Sequence, residues 1–188
     1  MIHIKDIPHN MEYFIDENLK EVPKDENEIK QGVHFLLNEI DKVANNDSKK
    51  LIHLYKLVGG FYRIVGMLVD SENYLNKALE IAQKENEKLL EISIQLRIAS
   101  TLLEKKKYSA ADKIFRKVLN FKNNDVQDKF RDYALQHLGK SLFDQERFKE
   151  ALDLFLEAHE IRLIKGELHL IEASQFAIKI TQSKISQG

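Results

Sequence analysis

A 40-residue repeat constrains the fold of this chain more than any other feature of its sequence. Small residues recur at Gly59, Ala99 and Gly139, 40 positions apart. The same step separates the members of three further columns, which are Ser71, Ala111 and Ala151; Leu75, Phe115 and Phe155; and Ala78, Val118 and Ala158. Four columns that stay in register over three copies indicate one structural unit used three times.

Each copy has the pattern of two α-helices. In the third copy Ala151, Phe155 and Ala158 lie at i, i+4 and i+7, which is one face of a helix. Small residues recur where two helices must approach closely. The chain contains only seven glycines and two prolines, and this scarcity favours long helices over sheet and turn. The sequence therefore predicts an all-α fold with three helical hairpins, at about residues 51–90, 91–130 and 131–166.

The copies resemble the tetratricopeptide repeat (TPR), whose outline is W-x2-L-G-x2-Y…A-x3-F…P. The third copy matches this outline at Leu138, Gly139, Ala151 and Phe155. The resemblance implies a right-handed solenoid of helical hairpins in which the first helix of each pair lines a concave face. The step of 40 exceeds the usual 34 residues, as in the TPRs of kinesin light chain and of Rap- and PlcR-type peptide receptors.

The same step extends to both ends of the chain. Residues 1–50 are expected to form a degenerate N-terminal helical hairpin that continues the repeat, with helices over residues 10–21 and 28–44 separated at Pro23. Residues 167–185 are expected to form a lone capping helix that begins after Gly166.

The resemblance also places a ligand-binding groove on the first helices. Four of the side chains that helical geometry turns inward are cationic, and no acidic residue falls on the central stripe. Because the whole chain has a formal net charge of -1, this concentration predicts an acidic ligand, such as an acidic peptide, a C-terminal carboxylate or a negative partner face. The predicted groove residues are His53, Lys56, Arg63, Arg97, Ser100, Tyr133, Gln136, His137 and Lys140.

The capping helix carries a second candidate surface. Its apolar residues occupy nearly the whole circumference, and one apolar stripe has no later repeat to cover it. Phe176 and Ile180, four residues apart, lie on that stripe. An uncovered apolar patch marks an interface, so we expect a homodimer contact or a hydrophobic anchor for the ligand there.

Several classes of function are disfavoured by composition. The absence of cysteine excludes disulfides, thiolate catalysis and thiolate metal sites. The near-neutral charge argues against nucleic acid as a partner, and no apolar run is long enough to span a membrane. The seven histidines show no metal-ligand spacing, and no phosphate loop or nucleophile elbow occurs. We therefore predict a cytoplasmic, non-enzymatic protein with no cofactor and no metal.

The leading functional hypothesis is a module that binds a protein or peptide partner in its basic groove. Two alternatives stay open. One is a peptide-sensing regulator of the Rap/PlcR-like type, and the other is an immunity- or antitoxin-type inhibitor that sequesters one protein. The abundance of Lys, Asn and Ile indicates an AT-rich bacterial genome.

Overall fold

The computed structural model describes residues 2–43, 47–122 and 124–187. Within these ranges a 3-10 helix at Ile4–Asp6 and two short strands precede a succession of α-helices. The helices are α1 (Glu26–Asp41), α2 (Ser48–Ile64), α3 (Leu68–Lys84), α4 (Lys88–Glu104), α5 (Tyr108–Leu119), α6 (Asn124–Asp144), α7 (Phe148–Lys165) and α8 (Leu168–Gln187). The predicted capping helix is thus formed as α8, and the left-handed Gly166 (φ 74°) ends α7 before it.

The helix predicted over residues 10–21 is wrong. This segment instead contributes to an antiparallel hairpin of β1 (Tyr13–Ile15) and β2 (Glu21–Pro23), in which Phe14 lies opposite Val22. Two causes favour the hairpin. Aromatic and β-branched residues fit a pleated strand, and the Asp16 carboxylate accepts the Lys20 N–H across the turn. Leu19 takes a left-handed φ of 58° in this turn. The helix expected over 28–44 is α1, which starts earlier because the Asp25 carboxylate caps the N–H groups of its first turn.

The chain divides into two compact units. The first comprises residues 1–16 and 20–105, and the second comprises residues 17–19 and 106–188. In the first unit one apolar cluster joins the N-terminal segment to α1 and α2, and a second joins α2, α3 and α4. In the second unit the large side chains of Phe115, Leu135 and Phe155 are fully buried.

Glycines permit the closest helix contacts. A Cβ atom at Gly59 would lie 2.6 Å from Cγ of Leu75 and 3.1 Å from the carbonyl oxygen of Ser71. A Cβ atom at Gly139 would lie 2.6 Å from Cε1 of Phe155. The small residue of each of these pairs therefore packs directly against a large apolar residue of the following helix, Leu75 or Phe155.

A buried polar cluster holds three helices of the second unit together. The Arg162 guanidinium, 3% exposed, donates to Asp132 Oδ2 (3.1 Å), to Gln136 Oε1 (2.9 Å) and to the Leu170 carbonyl (3.1 Å). Lys165 Nζ donates to the other Asp132 oxygen at 2.5 Å. Burial lowers the pKa of Arg162, and the bond to Asp132 opposes this shift. These contacts join α6, α7 and the start of α8.

Two neighbouring glycines of α2 should respond in opposite directions to alanine. Gly59→Ala should lower the free energy of unfolding by about 1–3 kcal/mol, because the new methyl group overlaps Leu75. Gly60→Ala should raise it by up to about 1 kcal/mol, because among the described residues a Cβ there meets only Arg97 Nη1, at 3.4 Å, and alanine is the better helix former. Urea denaturation of both variants checks this pair. Equal losses at the two positions would contradict the helix register.

The turns before α3, α5 and α7 share a left-handed residue at Gly66, Lys106 and Glu146. Of the three, only Gly66 adopts this conformation without strain, because glycine has no Cβ atom. We expect Glu146→Gly to raise the free energy of unfolding by about 0.5–1 kcal/mol. Glu146→Ala is the matched control, since it removes the same charge but keeps a Cβ. Equal stability of the two variants in denaturant titrations would argue against backbone strain at this turn.

Candidate functional site

The predicted groove residues divide between the two units. His53, Lys56 and Arg63 lie on α2, and Arg97 and Ser100 lie on α4, all within the first unit. The remaining members, Tyr133, Gln136, His137 and Lys140, lie on α6 in the second unit.

The α6 group is largely part of the interior. Gln136 and His137 are 7% and 8% exposed. The Gln136 side chain accepts from Arg162, and the His137 ring stacks on Phe115 and lies against Tyr133, with ring centroids 5.9 and 4.0 Å apart. These contacts give both side chains a role in packing. The prediction of one exposed stripe on α6 is wrong, because this helix is buried on nearly all sides between residues 132 and 143.

Two further predicted groove residues already have partners within the protein. Lys140, on α6, is half-buried and already engaged in an interaction. Ser100, on α4, is buried, and its hydroxyl donates to the Leu96 carbonyl one turn earlier at 3.1 Å. Ser100 is therefore satisfied within its own helix.

The predicted groove residues of α2 form one stripe along the helix. The two at its ends, His53 and Arg63, contact the segment that precedes α1. His53 Nε2 donates to the carbonyl oxygen of Ile2 at 2.6 Å. Arg63 forms an ion pair with Glu21 of β2, and its other guanidinium nitrogen lies 3.9 Å from Glu104. Sequence analysis missed Glu21 because it placed this residue at the end of a helix. The aromatic and β-branched run before it was the signal that could have indicated a strand.

Two cationic side chains, Lys56 of α2 and Arg97 of α4, lie near each other midway along this stripe. Lys56 and Arg97 are half-buried neighbours on α2 and α4, and Lys56 Nζ donates to Ser93 Oγ at 3.0 Å. Burial, together with the charge of Arg97, lowers the pKa of Lys56 from 10.5 to about 8. In the described part of the chain neither cation has a carboxylate within ion-pairing distance. Gly60, one turn after Lys56 on α2, lies against Arg97, because a Cβ there would be 3.4 Å from Arg97 Nη1.

The Lys56–Arg97 pair is suited chemically to an anion. Two adjacent cations repel each other, and removal from water raises the free energy of both charged forms. A carboxylate placed between them would relieve both effects, and its attraction to them is stronger at a half-buried position than in bulk water.

The capping helix places its two candidate residues differently from the expectation. Phe176 and Ile180 are half-buried. Among the exposed apolar side chains of the described residues, Leu163, Ile164 and Leu168 lie around the α7–α8 turn, and Ile164 is 88% exposed. Apolar residues on both sides of Gly166 were the available signal. The homodimer itself stays a prediction.

Other kinds of site find less support. An open cleft of about 620 Å³ lies along α1 and includes His9, His34 and Phe35, but none of the predicted groove residues. Over residues 2–43, 47–122 and 124–187, no three histidine or acidic side chains are grouped as a metal ion would require. Among the helices that the structure describes, none is both long and apolar enough to cross a bilayer.

Comparison with known proteins identifies the repeats. Family models described as tetratricopeptide repeat match residues 92–125 and 133–163. The chain carries tetratricopeptide repeats. Such repeats are in general scaffolds for protein–protein interaction, stacked so that each unit contacts its neighbours. No curated protein matches the sequence.

Solved TPR-like structures share the fold. The TPR-like repeats of a kinesin light chain from Podosopora anserina superpose with a TM-score of 0.58 at 14% identity, covering 86% of this chain and 81% of that one. BtubC (BKLC) from P. vanneervenii gives a TM-score of 0.54 at 14% identity, covering 86% and 69%. At 14% identity these likenesses show a shared fold and nothing more.

The lowered pKa of Lys56 predicts a pH-dependent stability. Below pH 8 the lysine is charged in both the folded and the unfolded chain. Lys56→Met removes a half-buried charge, so it should raise the free energy of unfolding by about 1–2 kcal/mol at pH 7. Between pH 8 and 10.5 the unfolded state binds more protons, and the wild-type chain therefore gains stability as the pH rises. Urea titrations should show the advantage of Lys56→Met falling as the pH rises from 7 and reversing in sign by about pH 10, because the lowered pKa corresponds to about 3 kcal/mol in total. A constant difference would contradict the shift.

Proposed function

We propose that this TPR chain is a non-enzymatic interaction module whose α2–α4 face binds an acidic segment of a protein partner. The observation that carries the proposal is the half-buried Lys56–Arg97 pair, which has Ser93 as a neutral neighbour and lacks a carboxylate among the described residues. A face built for stability alone would gain from a neutralising acid at this point.

The surrounding residues support an extended acidic ligand. Lys56, Gly60 and Arg63 lie at i, i+4 and i+7 on α2, so they form one stripe along the helix. Gly60 has no side chain, and the Arg97 guanidinium lies against it, since a Cβ there would be 3.4 Å from Nη1. Arg97 can offer two parallel N–H donors to one carboxylate, which fixes the orientation of the ligand as well as its charge.

A hexaglutamate peptide labelled with fluorescein is a suitable probe for this face. Fluorescence anisotropy should show about tenfold weaker binding to Arg97→Gln than to the wild-type chain, which corresponds to about 1.4 kcal/mol. Arg116→Gln, an exposed arginine of α5, is the matched control and should bind as the wild type does. Added salt should weaken wild-type binding. Equal losses in the two variants would reduce the effect to net charge and contradict the site.

A further inference from the structure

The N-terminal segment, residues 2–16 and 20–23, is bound to the first unit by apolar anchors. Ile7 and Met11 are buried in the cluster formed with α1 and α2. Met11 fills the space over Gly32 of α1, where a Cβ atom would overlap Sδ. The segment thus occupies a surface of α1 and α2 that a helix was expected to cover.

His9 and Asn10 of this segment contact Glu28 of α1, and two further polar attachments fall on the predicted ligand stripe. The Ile2 carbonyl accepts from His53 near the start of α2, and the Glu21 carboxylate pairs with Arg63 near its end. The chain therefore supplies to Arg63 the chemical group that the groove was predicted to recognise. Arg63 is already neutralised, whereas no carboxylate of the described residues pairs with Lys56 or Arg97.

We propose that the N-terminal segment is an internal ligand of α2, and that an acidic partner bound at Lys56 and Arg97 competes with Glu21 for Arg63. This inference rests on the proposed function. A ligand that extends from Lys56 past Gly60 along the stripe reaches Arg63 within one further turn. It then meets the negative charge of Glu21, so the two acidic groups cannot share Arg63 without repulsion.

The exchange is local and leaves the fold anchored. Arg63 keeps Glu104 at 3.9 Å when Glu21 departs, so its charge is not left without a partner. Ile7 and Met11 stay in the core, and β2 is held to β1 by a ladder of only three residues on each strand. A two-stranded hairpin of this size has little stability of its own, so β2 is the part of the segment that can move.

Glu21→Gln tests the competition directly. It should bind the labelled hexaglutamate peptide three- to tenfold more tightly than the wild-type chain does. Glu12→Gln is the matched control, because Glu12 is an exposed acid of the same segment whose partner is Lys24. Thermal unfolding followed by circular dichroism establishes that both variants are folded.

Hydrogen exchange on the wild-type chain gives a second readout that needs no variant. Saturating hexaglutamate should speed exchange of the hairpin amides, including that of Lys24, which donates to the Glu12 carbonyl at 3.0 Å. Unchanged affinity of Glu21→Gln, with unchanged hairpin exchange and a loss in Arg97→Gln, would overturn this inference and leave the proposed function standing. No binding by wild type or Glu21→Gln would overturn both.

Discussion

Close approach of paired helices is the constraint on which the rest of this structure depends. At Gly59 and Gly139 the backbone of one helix meets Leu75 and Phe155 of the next with no room for a methyl group. This contact fixes which face of each helix points inward within its own pair. Lys56 and Arg63 lie three and four residues from Gly59 on α2, so they flank this contact on the same side of the helix.

Burial around the central helices separates a structural role from a binding role among the predicted groove residues. α4 and α6 are buried over most of their circumference, so polar side chains on them need internal partners. Ser100, Gln136 and His137 have such partners. Lys56 differs from them, because it donates to a neutral serine hydroxyl and the nearby charge of Arg97 lowers its pKa.

The N-terminal segment links the fold to the candidate site. It completes the apolar core of the first unit through Ile7 and Met11, and it also supplies a carboxylate to Arg63. One segment therefore serves packing and electrostatics together. The weak two-stranded ladder and the presence of Glu104 beside Arg63 make the electrostatic contact easier to exchange than the apolar one.

The sequence by itself determined the helical pairs, their contacts at Gly59 and Gly139, and the break at Gly166, because these depend on residue size and backbone freedom over short distances. It also placed Lys56 and Arg97 on one surface, since helical geometry and repeat register suffice for that. Only the tertiary structure decided which groove residues are internal. Burial depends on what covers a helix from elsewhere in the chain, as at Gln136 and His137. The hairpin and the pairing of Glu21 with Arg63 were decided there too, because a segment of about twenty residues has weak local preferences, and its conformation follows from the apolar and charged surface on which it packs.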